Sequence, residues 1–366
     1  MLSLNRIRKN PDEIKTGVQS KNESIHLDEI LKTDTQYREK VHELDELRAK
    51  RNKSSDAIAQ AKRDGVNSDN AIAEMRAVSD TIKSIEKEVN DIKNLLDTKL
   101  ELIPNIPHSN VPVGKDESSN VIIREWGEPK NVEYKLKSHV DLGTSLELFD
   151  LERGSKISGS GFPLLTGLGS KLERALINFM LDFHVSEHGY KEIFPPFLTR
   201  PNSPYTCGQL PKFSDDMYYI EKDELYLIPT AEVPLTNLFA DEIIDENNLP
   251  KKYAAYSACF RREAGSYGKD TRGLLRLHQF NKVEMVKFVK PDSSYDELEK
   301  LTQQAEAILQ QLGLHYRVIE LCTGDLSFAA AKCYDLEVWA PGEGKWLEVS
   351  SCSNFEDFQA RRGNIR

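Results

Sequence analysis

Between Leu27 and Leu102 apolar residues recur in steps of three and four, and no proline interrupts them. Met75, Val78, Ile82, Ile85, Val89, Ile92 and Leu96 keep one apolar stripe for over three heptads. Tyr37, Val41, Leu44, Leu47 and Ile58 begin a more ragged stripe upstream. The break between them runs from Asp64 to Asp69. Gly65 there ends one helix, and Ser68 or Asp69 caps the next. The pattern predicts two helices of about 35 residues in an antiparallel hairpin, roughly 50 Å long at ~1.5 Å per residue. Only one seam of each helix is apolar, so the rest must face water and the hairpin should stand as an arm.

Three prolines between Ile103 and Pro112 stop the second helix, since proline lacks a donor and disfavours a helical residue before it. Beyond them helical and strand patterns alternate. Ser170 and Glu173 have capping-box spacing, followed by Leu172, Leu176, Phe179 and Phe183 along one face and Gly189 as the stop. Residues 191–198 read as a short strand interrupted by prolines. Strands are predicted over 225–228, 253–262, 274–289, 316–321, 334–339 and 346–350, with a helix over 294–312. Strands in hairpin-like succession with helices between them indicate an α+β fold. Its parts would be an N-terminal antiparallel helical hairpin, a coiled-coil arm, over 1–103, and a domain over 104–366 with an antiparallel β-sheet flanked by helices.

Composition narrows the function classes. The chain has 366 residues, and Lys plus Arg number 49 against 59 Asp plus Glu, a net charge of −10. That balance excludes a histone-like coat of positive charge, although a local basic surface can sit on an acidic protein. Arg48, Lys50, Arg51, Lys53, Lys62 and Arg63 make such a concentration on the outer half of the first arm helix. No stretch approaches the ~20 apolar residues of a membrane span, and the N-terminus lacks the apolar run of a signal peptide. Five cysteines without C-x-x-C spacing fit reduced packing thiols in a cytoplasm.

The segment from Phe260 to Glu284 carries the densest chemistry. Two predicted strands flank a Gly-rich basic loop containing Gly265, Arg272 and Gly273. Period-two alternation puts Arg261 and Glu263 on one face of the first strand. The same rule puts Arg276, His278, Phe280, Lys282 and Glu284 on one face of the second. Guanidinium forks match phosphate oxygens, an aromatic ring stacks a nucleobase, and a carboxylate pairs an ammonium. A charged solvent face with an incidental phenylalanine fits the spacing equally well. Other features are weaker. His184 and His188 lie one helical turn apart without a third ligand and read as solvated residues at a helix end. The glycines between Gly154 and Gly169 match neither a phosphate loop nor a dinucleotide fingerprint and read as strand turns.

The segment from Phe260 to Gly273 resembles motif 2 of the class II aminoacyl-tRNA synthetases, and specifically the bacterial-type seryl-tRNA synthetase family. Gly208 to Phe213, Pro229 to Glu232, His278 to Phe280, Lys282 to Glu284 and Glu348 to Arg362 follow in that family's order behind a helical hairpin. The resemblance implies a serine–tRNA ligase that activates L-serine with ATP and transfers it to the 3′ end of tRNA(Ser), and also to selenocysteine tRNA. It implies a catalytic set of Arg261, Glu263 and Glu348, with Arg261 on the ATP α-phosphate, Glu263 on the adenine amino group and Arg276 on the γ-phosphate. Phe280 would stack the adenine, with Leu277 beside it and Arg262, Val349, Ser350 and Ser351 completing the ATP site. Thr230, Ala231, Glu232 and Glu284 would line the serine pocket with Arg261. Glu348 and Ser351 would bind Mg²⁺. The six basic arm residues would contact tRNA phosphates, and Gly189 to Pro196 would be motif 1, the homodimer contact. In-line attack of a carboxylate on phosphorus joins two anions, so charge neutralisation and positioning supply the catalysis and no protein nucleophile is needed.

That family continues beyond the Ala360 to Arg362 segment into a Gly-rich motif 3 with an arginine against ATP. No segment before Arg366 offers it, which points to a fragment of a longer protein. A non-catalytic synthetase paralogue acting as an RNA- or protein-binding module is the alternative. An amino-acid:carrier-protein ligase shares the adenylation chemistry, but it lacks the long arm and uses zinc ligands not seen in this sequence.

Overall fold

The computed structural model describes every residue except 66, 130, 131 and 264–272. Its backbone divides into two compact units: Leu2–Thr16 with Ser24–Ile103, and Gly17–Glu23 with Pro104–Arg366 and Met1. No described helix is long and apolar enough to cross a membrane.

The first unit is the helical one. Short helices α1 (Leu4–Lys9) and α2 (Pro11–Ser20), which the apolar spacing does not announce, precede α3 (Leu27–Arg63) and α4 (Asp69–Glu101). Helices α3 and α4 pair along the stripe read from the sequence. Leu44, Ile82, Ile85 and Val89 are buried between them, with Tyr37, Val41, Leu47 and Val78 packed around. Their polar flanks meet across the hairpin through Arg48–Glu86 at 2.8 Å and Lys40–Glu88 at 2.9 Å. At the base, buried Asp34 takes Arg8 at 2.5 Å and Arg38 at 3.2 Å. Gly65 leaves α3 at φ +72°, a conformation that costs glycine nothing. Ser68 stands at the N-cap of α4 as expected, and its carbonyl accepts the Ile72 N–H at 2.9 Å, but its side chain makes no capping bond. Asn67 Oδ1 accepts the Asp69 N–H at 2.9 Å instead, because an asparagine side chain reaches the amide two residues on. Ile85→Ala is expected to destabilise the hairpin by ~2–5 kcal/mol. A helical transition in a circular-dichroism melt that stays where it is in the parent chain would show that the seam is not the hairpin's support.

The second unit is α+β. In chain order it contains β1 (Val121–Trp126), α5 (His139–Ser145), β2 (Phe149–Asp150), α6 (Leu151–Ser158), β3 (Leu164–Leu165), α7 (Gly167–Ser186), β4 (Lys191–Glu192) and β5 (Leu198–Thr199). Then come α8 (Asn202–Thr206), β6 (Tyr219–Ile220), β7 (Leu225–Leu227), α9 (Glu232–Thr236), β8 (Lys251–Phe260) and β9 (Gln279–Phe288). The chain continues with α10 (Ser294–Gln311), β10 (Tyr316–Glu320), β11 (Lys332–Ala340), β12 (Lys345–Asn354) and α11 (Phe358–Arg362). One sheet runs β1-β10-β11-β12, antiparallel throughout. A second runs β4-β8-β9, with β4 parallel to β8 and β8 antiparallel to β9. Helix α10 buries Leu298, Ala305 and Leu309 against Tyr316, Val318, Leu336 and Cys352. Helix α7 lays Ile177 and Leu181 on Ala254, Tyr256, Val283 and Met285.

Three expectations are corrected. The capping box at Ser170 does not form, because α7 already begins at Gly167 with Thr166 at its N-cap. The Thr166 amide is bonded to Leu148 O at 2.9 Å, and that anchor starts the helix one turn early. Leu172 consequently lies off the packed stripe and is exposed. His184 is only 3 % exposed, not solvated, since it shares the packed face of α7 with Leu181. Its Nδ1 lies 2.9 Å from His188 Nδ1, and burial pushes it down to about 4, which keeps it neutral. The glycines are not all strand turns either: Gly154 lies inside α6 and Gly169 inside α7, and a Cβ at Gly154 would meet Phe162 O at 2.3 Å.

Candidate functional site

The site is built on the β8–β9 hairpin. Its register sets Cys259 opposite Phe280, Ser257 opposite Lys282 and Ala255 opposite Glu284. Phe280, Lys282 and Glu284 therefore share a face, and the three small residues opposite them are fully buried and leave that face clear. Strand β8 ends at Phe260, so Arg261 and Glu263 lie just past it, yet Arg261 keeps the hairpin's direction. Its N–H donates to His278 O at 2.9 Å, and His278 Nδ1 sits 3.0 Å from Arg261 O. The Arg261 guanidinium then lies 5.0 Å from the centre of the Phe280 ring. Guanidinium and ring are on the same side, as the alternation required.

Arg276 and His278 are not on the strand as expected, because β9 starts only at Gln279 and the residues before it form a turn. His278 instead donates its N–H to Gly161 O at 2.9 Å. Arg276 Nη1 donates to Glu263 Oε2 at 2.5 Å, and Glu263 stands at φ +50°, the left-handed region that a non-glycine residue enters only under constraint. Arg262 turns elsewhere, with its guanidinium 5.8 Å from the Tyr218 ring centre. Leu277 and Phe280 line a cavity of about 430 Å³ with Ile157, Phe162, Leu164 and Leu274. Gly265 and Arg272 lie outside the described residues. His139 Nε2 accepts the Leu274 N–H at 3.1 Å while its Nδ1 meets Glu343 at 2.6 Å.

A polar cluster around Thr230, Glu232 and Gln359 adjoins Glu284. The Thr230 hydroxyl donates to Glu284 Oε2. Thr230 and Ala231 are buried, and Glu232, which opens α9, receives Gln359 Nε2 on Oε1 at 2.6 Å. Burial, and then Glu284, raise the Glu232 carboxyl to about 7 against the lowering effect of Gln359, Lys282 and Arg261.

The opposite wall is the β11–β12 hairpin. Glu337 pairs with Glu348, Leu336 with Ser350 and Asp335 with Ser351, so Val349 is an extra residue in β12. Without that bulge Glu348 and Ser351 would point to opposite faces. With it, both share a face with Asp335 and Glu337, while Ser350 lies opposite Leu336, which is buried against α10. Desolvation raises the Glu348 carboxyl, and Lys282 and Arg261 lower it. Asp335, 8 % exposed, is pushed up to about 7 by burial and by Glu348. Arg261 and Lys282 thus act electrostatically on both Glu232 and Glu348.

Of the six basic arm residues, Arg51 is half-buried and the others are exposed. Among the described residues no group of three or more His, Cys, Asp and Glu forms a metal cluster, and the five cysteines are buried and free. Sequence reasoning gave no part to His139, Asp335 or Gln359. None carries a local signal for its part in the site, because His139 meets Leu274, Asp335 pairs with Ser351 and Gln359 meets Glu232 across more than a dozen residues each.

Residues 1–107 match the family described as the seryl-tRNA synthetase N-terminal domain, and residues 212–366 match the tRNA synthetase class II core domain (G, H, P, S and T). The serine–tRNA ligase of Carboxydothermus hydrogenoformans is 53% identical over 366 residues, covering 100% of this chain and 86% of its own. The crystal structure of seryl-tRNA synthetase from Pyrococcus horikoshii complexed with ATP superposes with a TM-score of 0.92 at 41% identity, covering 100% of this chain and 87% of that one. The cytoplasmic serine–tRNA ligase of Naegleria fowleri in complex with AMP gives a TM-score of 0.89 at 28% identity, over 100% of this chain and 88% of its own.

Proposed function

The chain belongs to the seryl-tRNA synthetase family and acts as a serine–tRNA ligase, and from that premise we propose how its residues divide the reaction. L-Serine enters the pocket of Thr230, Ala231, Glu232 and Glu284, where two carboxylates receive its ammonium and hydroxyl groups. An intruding alanine would leave those half-buried acceptors unpaired, which is the strongest form of rejection a small pocket has. ATP lies along the Phe280 face, its adenine on the ring beside Leu277. Glu263 leaves Arg276 to take the adenine amino group, freeing Arg276 for the γ-phosphate. Arg261 holds the α-phosphate while the serine carboxylate attacks in line and pyrophosphate departs.

The observation that carries this reading is the position of Arg261, stacked over Phe280 and acting electrostatically on both the Glu232 pocket and the Glu348 wall. A guanidinium there neutralises the two anions that must meet and charge developing at phosphorus. The donor set on the opposite wall fits Mg²⁺, a hard cation that takes oxygen ligands: Glu348 and Ser351 would hold it, with Asp335 and Glu337 alongside. When bound, that ion supplies charge neutralisation on the nucleotide phosphates. Val349 and Ser350 contribute backbone to the same ATP edge.

Arg48, Lys50, Arg51, Lys53, Lys62 and Arg63 meet tRNA phosphates, reading the shape of the RNA more than its bases. The apolar surface of motif 1, where Phe194 is 77 % exposed beside Pro195 and Pro196, supports a homodimer. Five unbridged thiols support a cytoplasmic setting.

Serine-dependent exchange of pyrophosphate into ATP tests the scheme. An ammonium needs an ionised partner, and Glu232 ionises only near pH 7. The serine KM should therefore fall as pH rises through about 7, by up to tenfold per pH unit below it, with the ATP KM flat. A serine KM that does not change between about pH 6 and about pH 8 would take Glu232 out of the pocket.

A further inference from the structure

Glu232 is held from behind by a neutral amide. Gln359, 7 % exposed, donates Nε2 to Glu232 Oε1 at 2.6 Å. The helix that carries it, α11, is anchored independently. Phe358 is fully buried, and Arg362 donates to Tyr205 O at 2.6 Å and to Leu210 O at 2.7 Å while lying 4.1 Å from the Tyr205 ring centre. Gln359 is thus delivered to the pocket by a fixed element, where its amide has little freedom.

The choice of a neutral donor has a chemical consequence. A lysine or arginine at this position would pair with Glu232 and cancel its charge. An amide satisfies one carboxylate oxygen and leaves the charge in place. Thr230 treats Glu284 in the same way, with a hydroxyl on Oε2. Each acid therefore takes its hydrogen bond from a neutral donor and keeps an oxygen for the ligand, while the Lys282 ammonium lies 4.0 Å from the Glu284 oxygen that Thr230 already occupies. Two neighbouring carboxylates repel, and a proton taken up by Glu232 would turn an acceptor into a donor.

We infer that Gln359 is a positioning residue for amino-acid selection: its amide occupies Glu232 Oε1, so that Oε2 and the undiminished carboxylate charge face the ammonium group of serine. The inference rests on the reading that Glu232 lines the serine pocket. Gln359 touches neither substrate and acts through Glu232 alone.

The experiment is serine-dependent pyrophosphate exchange on the full chain carrying Gln359→Met or Gln359→Glu, two substitutions of nearly unchanged shape. Each is expected to raise the serine KM at least about tenfold while kcat and the ATP KM stay within about twofold. The pH at which the serine KM falls should also move upward in both variants. Glu284, Lys282 and Arg261, the other charged groups acting on Glu232, are unchanged in them. A serine KM and pH limb like those of the parent chain would overturn the inference. So would equal losses in the serine and ATP terms together with a lowered melting temperature, since that pattern belongs to a helix anchor. Glu232→Gln separates the two levels. If it raises the serine KM and the Gln359 variants do not, only the role of Gln359 fails. If it leaves the serine KM unchanged, the pocket reading fails and takes this inference with it.

Discussion

Arg261→Ala should lower serine-dependent pyrophosphate exchange by about 10²–10³-fold, the loss found when one preorganised group is removed from developing charge. The fold should be left intact, for reasons that lie in how Arg261 is held. It stands beyond the last residue of β8, and its anchoring bond is made by its backbone N–H to His278 O, which alanine retains. What alanine removes is a guanidinium 5.0 Å from the Phe280 ring centre, a contact worth ~0.5–1 kcal/mol at a partly exposed position. Stability should therefore move little while the chemistry collapses. Arg261→Lys retains the charge without the planar fork and should fall between the two. The measurement is exchange rate against a melting curve on the same preparations. An alanine variant that exchanges at close to the parent rate would remove Arg261 from the α-phosphate.

The second large effect separates the two halves of the reaction. Removing residues 42–88 and rejoining α3 to α4 with a short glycine-containing turn deletes all six basic arm residues. The cut keeps Asp34 with Arg8 and Arg38, so the base of the hairpin stays closed. The adenylation site proposed above, Thr230 to Glu284 with β12, is not cut, and exchange should persist within about twofold. Charging of tRNA(Ser) should fall by at least about 10²-fold, because several phosphate contacts are lost together, and the parent's steep dependence on salt should flatten with it. If the shortened chain charges tRNA as well as the parent, the basic residues of α3 have no part in tRNA binding.

The arm and the site differ in how far they can be read before folding. The α3–α4 seam follows from residue spacing, because a stripe repeating every three to four residues can be buried only along one line of a helix. The Phe280, Lys282 and Glu284 face follows in the same way from strand alternation. Alternation fails for Arg276 and His278, since β9 begins only at Gln279 and a turn obeys no period of two. It also mistakes the partnership of Glu348 and Ser351: three residues apart, they belong on opposite faces of a regular strand. Only the extra residue at Val349 brings them together, and that bulge is a property of pairing with β11. His184 errs in the opposite sense. A histidine in the last turn of a helix looks solvated until the packing of His188 and Tyr190 against its ring is seen.

By itself, then, the sequence determined the hairpin, the order of the chemical segments and the family to which they belong, since spacing and order are properties of the chain alone. The packed structure decided that Glu348 and Ser351 share a wall, that His139 holds the backbone at Leu274, and that Gln359 reaches Glu232 from 127 positions away. Those contacts depend on strand register and helix docking, and both are set by burial between residues far apart along the backbone, where no local pattern can record them.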